Sequence, residues 1–152
     1  VNRLAIVAAA GNGGNAEPIY PAAEDLNGML GVGASGRGNM LANFSTFERH
    51  WVEIIAPGEN IVSAIPGGTF GVWSGTSMSA PIVSGVAALV KAKNPNLTVP
   101  HDLLDRVKDT AVDIRYGNPE IRLRKIDALC ALTVIPPQEC GVVQLPSEIF
   151  PK

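Results

Sequence analysis

The sequence has 152 residues, of which 46% are hydrophobic and 17% charged, and its formal net charge is −2. This length and composition are typical of one globular domain with a buried core. The Lys and Arg residues are scattered along the chain, so we expect no nucleic-acid partner. No apolar run reaches the roughly 18 to 20 residues of a membrane-spanning helix, so we expect no membrane partner either.

Four short apolar segments in the first half predict strands, and the first of them is a continuous run that reads as a fully buried strand leading into a Gly-Asn loop. They are "RLAIVAAAGN", "MLGVGAS", "WVEIIAPG" and "NIVSAIPGG". A long helix is predicted next, over residues 76–94, because its valines and alanines repeat at helical spacing. Small residues on its other faces predict a helix surrounded by protein, and we expect Pro81 in its first turn.

Two further helices are predicted in the second half. "TVPHDLLDRVKDTAVDI" reads as an amphipathic helix with Thr98 as its N-cap, and "KIDALCAL" as a shorter helix. We expect residues 1–134 to form the domain and the Pro-rich residues 135–152 to form a tail. Strands interleaved with helices predict an α/β fold with a mostly parallel sheet.

Ser77 lies where the long helix is predicted to begin. The first N–H groups of a helix lack internal partners, and its positive end favours negative charge. Gly75 permits a tight turn without a Cβ in the path of a substrate. These features suit a nucleophilic serine, but Thr76, Ser77 or Ser79 could equally cap the helix. The segment is not the G-x-S-x-G elbow of lipase-like hydrolases, because Ser79 replaces its second glycine.

Several ordered motifs resemble subtilisin-like serine proteases, the subtilases. "SGTSMSAPIVSGVAALV" is similar to their active-site serine segment, which places the nucleophile on Ser77. "AIVAAAGNGG" is similar to the strand and loop that carry their oxyanion-hole asparagine, which falls on Asn12. "YPAA", "ANFST" and "IIAPGENIVSAIPGG" follow in the family's order. The resemblance covers residues 4 to about 131 and implies a three-layer α/β sandwich with a mostly parallel central sheet, present as its C-terminal half.

The resemblance gives Asn12 a chemical task. Its side-chain amide is a neutral donor that is suited to a developing oxyanion. Taken by itself, "GNGG" is typical of an Asn-Gly turn without a catalytic role.

Substrate contacts are also implied by the resemblance. Ala8, Ala9, Ala10 and Gly11 are expected to line one wall of the primary specificity pocket, with Gly75 and Thr76 beside them. Ile19 falls where the family often sets the depth of that pocket, which favours small or medium apolar substrate residues. Tyr20-Pro21 resembles the family's cis-proline turn.

The family's triad also needs an Asp and a His, which precede the oxyanion asparagine. Only 11 residues precede Asn12 here, and His50 and His101 lack the family's setting, so we expect both to be surface or capping residues. The chain begins at Val1 without a visible signal peptide, which suggests a segment of a longer product. The resemblance therefore implies a secreted or extracytoplasmic serine endopeptidase, present as a fragment that needs its N-terminal half for activity. The alternative is an inactive subtilase-like module that binds a partner or serves a structural role.

No cofactor is expected. Subtilases often carry structural calcium, and Glu24, Asp25 and Asn27 supply oxygen ligands, but acidic residues of a solvated loop explain them as well. Cys130 and Cys140 lie ten positions apart, and both a disulfide and two unpaired cysteines remain open.

Overall fold

The computed structural model describes residues 4–24, 26–115 and 122–133. The predicted tail and the boundary before it lie outside the described residues. The strands are β1 (Ile6–Ala9), β2 (Met29–Ser35), β3 (Ile54–Pro57), β4 (Ile61–Ile65), β5 (Thr69–Trp73), β6 (Val112–Arg115) and β7 (Arg122–Lys125). The α-helices are α1 (Thr76–Lys93), α2 (Pro100–Asp109) and α3 (Ala128–Leu132). Short 3-10 helices cover Ala22–Glu24 and Arg37–Asn39.

The main sheet has five strands in the order β1-β2-β3-β7-β6. The pairs β1–β2, β2–β3 and β3–β7 are parallel, and β6 pairs antiparallel with β7. The predicted α/β class with a mostly parallel sheet is therefore confirmed. Strands β4 and β5 form a separate antiparallel hairpin that leads directly into α1.

The larger core cluster lies between the sheet and α1. Leu30, Val32 and Ile54 of the sheet belong to it, together with the helix residues predicted to form its apolar face, Val83, Val86, Ala87 and Val90. The opposite face of the sheet is covered by Ala22, Trp51 and Val52, which pack with Ala8 and Ala10 of the β1 region. This two-sided cover explains why the central strands consist of uninterrupted apolar residues.

Four predictions about the helices are wrong. The second helix begins at Pro100 with Val99 rather than Thr98 as its N-cap, and it ends at Asp109. Residues 112–114, predicted as the end of this helix, belong to β6 instead. Pro81 lies five positions after the first residue of α1, beyond its first turn. On the outer side of α1, Leu89 is 54% exposed, so the described residues do not surround the helix.

Within the described residues, no helix combines the length and apolar character needed to cross a membrane.

An ion-pair cluster joins α2 to the segment that enters β3. The Lys108 Nζ lies 2.9 Å from Glu53 Oε1 and 3.1 Å from Asp105 Oδ1, and Asp105 Oδ2 lies 2.9 Å from His101 Nε2. Burial alone lowers the pKa of Lys108, but hydrogen bonds and charge attraction from Glu53 and Asp105 outweigh it and raise the pKa above 10.5. The folded state therefore holds this proton more tightly than the unfolded chain does.

We expect Lys108 to make stability depend on alkaline pH. Because its folded pKa is raised, its contribution is complete below the unfolded pKa of 10.5 and is lost as pH rises through the folded pKa. Urea unfolding measured from pH 9 to about 12 should show a shallower loss of stability in Lys108→Met than in the unchanged protein. Lys93→Met, on the exposed end of α1, should keep the original slope. Identical slopes in all three proteins would contradict this assignment.

Candidate active site

The predicted site residues meet at the carboxyl ends of the parallel strands. Asn12 lies in the loop that follows β1, Gly58 follows β3, and α1 begins at Thr76 beside them. Open α/β sheets bind their ligands at this edge. The location alone makes it the first place to look for a functional site.

Asn12 is fixed by the first residue of α1. Its Oδ1 accepts hydrogen bonds from the Thr76 N–H at 2.9 Å and from the Thr76 hydroxyl at 3.1 Å. The Thr76 Oγ1 in turn accepts from the Gly11 N–H at 3.1 Å. A helix leaves its first N–H groups without internal partners, and here a side chain 64 positions away satisfies one of them. Because the Asn12 oxygen is occupied, its Nδ2 is the group left to donate.

Gly75 keeps that amide uncovered. It is the N-cap residue of α1, and a Cβ built on it would lie 3.2 Å from Asn12 Nδ2. A side chain at this position would stand against the amide nitrogen. The predicted need for glycine here therefore has a specific reason, the space in front of Asn12.

Ser77 is the exposed residue of this turn. The Met78 N–H bonds to the Gly75 carbonyl at 3.0 Å, and within the described residues neither the Ser77 N–H nor its hydroxyl has a hydrogen-bond partner. Pro81 lacks the N–H that would bond the Ser77 carbonyl. An exposed hydroxyl, an unpaired main-chain N–H and the Asn12 region thus lie together at the positive end of a helix.

The three hydroxyls of this segment have different surroundings. The N-cap residue of α1 is Gly75, so the alternative that Thr76, Ser77 or Ser79 is the N-cap is wrong. Thr76 binds Asn12, and the buried Ser79 donates to the carbonyls of Ala56 at 2.9 Å and Pro57 at 3.2 Å. Thr76 and Ser79 therefore anchor the helix, whereas Ser77 is the hydroxyl that is left available.

The predicted pocket wall contributes less side-chain surface than expected. Ala8 is 7% exposed and Ala10 is fully buried, so both methyl groups pack in the core and the two residues offer almost no surface to a substrate. Ala9 and Gly11 are half-buried, and Gly75 and Thr76 are buried. Ile19 is 44% exposed and stands against Gly11, where an added Cβ would lie 2.8 Å from Ile19 Cγ1.

The turn after this wall matches the sequence prediction, because the Tyr20-Pro21 peptide bond is cis.

Gly58 is a site residue that sequence reasoning missed. Its carbonyl accepts the Gly75 N–H at 2.7 Å, and a Cβ on Gly58 would lie 2.3 Å from Ser79 Oγ and 2.9 Å from the Gly75 oxygen. The start of α1 therefore rests on Gly58 without room for a side chain. Pro57-Gly58 at the end of a buried strand is the signal that could have identified it.

The remaining candidates lie away from this contact. The His50 side chain is 90% exposed, with Nε2 3.8 Å from Glu48 Oε1, and His101 pairs with Asp105 on its own helix. Neither is hydrogen-bonded to Ser77. Asp25, one of the suggested calcium ligands, and Cys140 lie outside the described residues. Calcium binding and the partner of Cys130 therefore stay predictions, but Cys130 itself is disulfide-bonded, so the alternative that leaves it unpaired is wrong.

The chain belongs to the subtilase family, because the model of the "Subtilase family" matches residues 2–126. It is 37% identical over 131 residues to the halolysin-like extracellular serine protease Nep of Natrialba magadii, covering 86% of this chain and 24% of that protein. It is 45% identical over 113 residues to M-protease of Shouchella clausii (strain KSM-K16), covering 74% of this chain and 29% of that protein.

The fold agrees with this assignment. The structure of the prenylagaramide maturation protease PagA superposes with a TM-score of 0.72 at 31% identity, covering 83% of this chain and 48% of that one. The patellamide maturation protease PatA gives a TM-score of 0.70 at 32% identity, covering 82% of this chain and 48% of that one. The chain thus spans less than half the length of each of these relatives.

We expect Asn12 to stabilise the fold through its oxygen alone. Asn12→Ala removes the acceptor for the Thr76 N–H and should lower the free energy of unfolding by about 0.5–2 kcal/mol, the cost of a lost helix cap. Asn12→Asp keeps an oxygen acceptor and places negative charge at the helix N-terminus, so its stability should stay near that of the unchanged protein. Urea unfolding of the three proteins tests this, and equal destabilisation by both substitutions would refute it.

Proposed function

We propose that this chain carries the nucleophile and the oxyanion-binding part of a serine endopeptidase. The Ser77 oxygen attacks the carbonyl carbon of a peptide bond while a base takes its proton, and the amine leaves to give an acyl-enzyme that water hydrolyses. The observation that carries the proposal is the bonding of Asn12 to Thr76, directly before Ser77.

The two donors suit the charge that develops in this reaction. The Asn12 Nδ2 is neutral and the Ser77 N–H is at a helix N-terminus, so both stabilise an oxyanion without adding a fixed charge. Since the Asn12 oxygen is already bonded, the amide does not have to reorient when the charge appears. Removal of one such donor costs about 10²–10³ in rate, a magnitude whose reference case is subtilisin itself.

The proposed substrate is a peptide or protein with a small or medium apolar residue before the scissile bond. Ile19 supports this, because its side chain stands against Gly11 and reduces the space beside the wall. The aliphatic side chain also offers no hydrogen bond to a polar substrate residue.

The general base is proposed to come from outside these 152 residues. Neither histidine is hydrogen-bonded to Ser77, and the relatives are more than twice as long as the matched region. Apolar surface supports a covering segment, since Leu4 is 71% exposed and Ile6 40% exposed along the edge strand β1, and Leu89 is 54% exposed on α1. We propose that the N-terminal half of a subtilase domain covers this surface and supplies the Asp and His.

We also propose that the protein is secreted, because of its similarity to an extracellular relative. The protein Nep of N. magadii is named as extracellular, and this chain shares 37% of its residues over the matched region.

In a complete protease domain that contains this sequence, Ser77→Ala should lower kcat by about 10⁶-fold, and Asn12→Asp by about 10²–10³-fold. Ser84→Ala is the matched control, because Ser84 lies on the exposed side of α1 and, among the described residues, its hydroxyl bonds only to the Ala80 carbonyl. Hydrolysis of a chromogenic peptide gives the rates. Labelling by a fluorophosphonate should require Ser77.

Two outcomes separate the alternatives. A folded complete domain that neither turns over peptides nor reacts with the fluorophosphonate would favour the inactive binding or structural module. Residues 1–152 expressed alone should show little turnover, and robust cleavage that serine-protease inhibitors abolish would refute the need for a second half.

A further inference from the structure

Thr46 carries an unusual hydroxyl. Among the described residues its Oγ1 is the buried side-chain polar atom without a hydrogen-bond partner, and the residue is fully buried. The adjacent Ser45 behaves in the normal way, since its hydroxyl accepts from the Ala34 N–H at 2.9 Å and donates to the Thr46 carbonyl at 3.1 Å. Buried polar atoms are almost always paired, so the Thr46 hydroxyl needs an explanation.

The hydroxyl lies at the proposed substrate wall. The Thr46 N–H donates to the Gly11 carbonyl at 3.0 Å, which ties Thr46 to the loop after β1. A Cβ built on Gly11 would meet Ile19 Cγ1 at 2.8 Å and Thr46 Oγ1 at 3.1 Å. The two side chains therefore converge on the same small volume over Gly11. Ile19 is 44% exposed and Thr46 is fully buried, so Ile19 is the outer layer and Thr46 the inner one.

We propose that Thr46 is a latent specificity residue: its hydroxyl forms an inner polar floor beneath the substrate pocket and contacts substrate only where Ile19 no longer covers it. This inference rests on the proposed function. With Ile19 in place, the substrate meets an aliphatic surface and short apolar side chains are accepted. Without it, the pocket is deeper and ends in a hydroxyl, which suits a side chain with a hydrogen-bonding end, such as glutamine. A pocket that offers a hydrogen bond discriminates more strongly than an apolar one.

The covering is tested first by thermal unfolding, with Ile19→Gly, Thr46→Val and their combination in the complete domain. Thr46→Val alone should raise the Tm by about 2–4 °C, because it removes an unpaired hydroxyl from a buried site. In the Ile19→Gly variant water reaches the Thr46 hydroxyl, so adding Thr46→Val there should not raise the Tm. Ser45→Ala, which removes a paired hydroxyl, should lower the Tm. A Tm lowered by Thr46→Val as much as by Ser45→Ala, or strict additivity with Ile19→Gly, would overturn the covering.

Specificity is tested with tetrapeptide p-nitroanilides that differ only in the residue before the scissile bond, Ala, Leu or Gln. Ile19→Gly should raise kcat/KM for the Gln peptide by about tenfold or more. Adding Thr46→Val to Ile19→Gly should remove most of the increase in kcat/KM for the Gln peptide. Any increase in kcat/KM that Ile19→Gly brings for the Leu peptide should remain, because it does not depend on the hydroxyl. If the increase in kcat/KM for the Gln peptide persists in the double variant, the role of Thr46 is refuted but the proposed function is not. Absence of cleavage by every variant and by the unchanged domain contradicts the proposed function, and the specificity role with it.

Discussion

The candidate site depends on one contact, the pair of hydrogen bonds that Thr76 donates to the Asn12 oxygen. They join the loop after the edge strand β1 to the first residue of the helix that packs across the sheet. The contact completes the helix, because it pairs an N–H that no residue of the helix can reach. It also orients the amide, because an oxygen that accepts two bonds leaves the nitrogen facing the other way. The stability of the fold and the proposed chemistry therefore require the same rotamer of the Asn12 side chain.

This contact forms only because the surrounding residues are small. Gly75 leaves space in front of the Asn12 nitrogen, and Gly58 lets the first turn of α1 rest directly on the end of β3. Ser79 then fixes that turn through the carbonyls at the end of the same strand. A Cβ at either glycine would meet a main-chain or side-chain atom at 3.2 Å or less. Part of the high glycine content of this sequence thus reflects close packing at one edge of the sheet.

The secondary structure was predicted correctly from the sequence where the hydrophobic pattern of a segment agrees with its burial in the folded protein. The centre of β3 is fully buried, which is what a continuous apolar run indicates, and α1 was recognisable from its helical repeat. β7 was missed because "RLRK" is mostly charged, and only its pairing with β3 and β6 makes it a strand. The strand β5 was not predicted from the sequence, and the apolar side chains of its hairpin with β4 are exposed to solvent, with Phe70 76% exposed. The motif brought Asn12 and Ser77 into one hypothesis, whereas the contacts of Thr46 and Gly58 join residues distant in sequence and needed the structure.

Under the proposed function, the described residues supply the nucleophile and the oxyanion donors but not the general base. The hydrogen bonds that hold Asn12 against the start of α1 all lie within the described residues, so this contact needs no further segment. In subtilisin, about 10³–10⁴ of the rate enhancement survives loss of the triad and comes from the oxyanion hole and substrate binding. The larger remaining factor requires a base that deprotonates Ser77. Since preorganised donors need no rearrangement when that base is added, the proposed N-terminal half would contribute proton transfer, and this chain would contribute the proposed oxyanion donors.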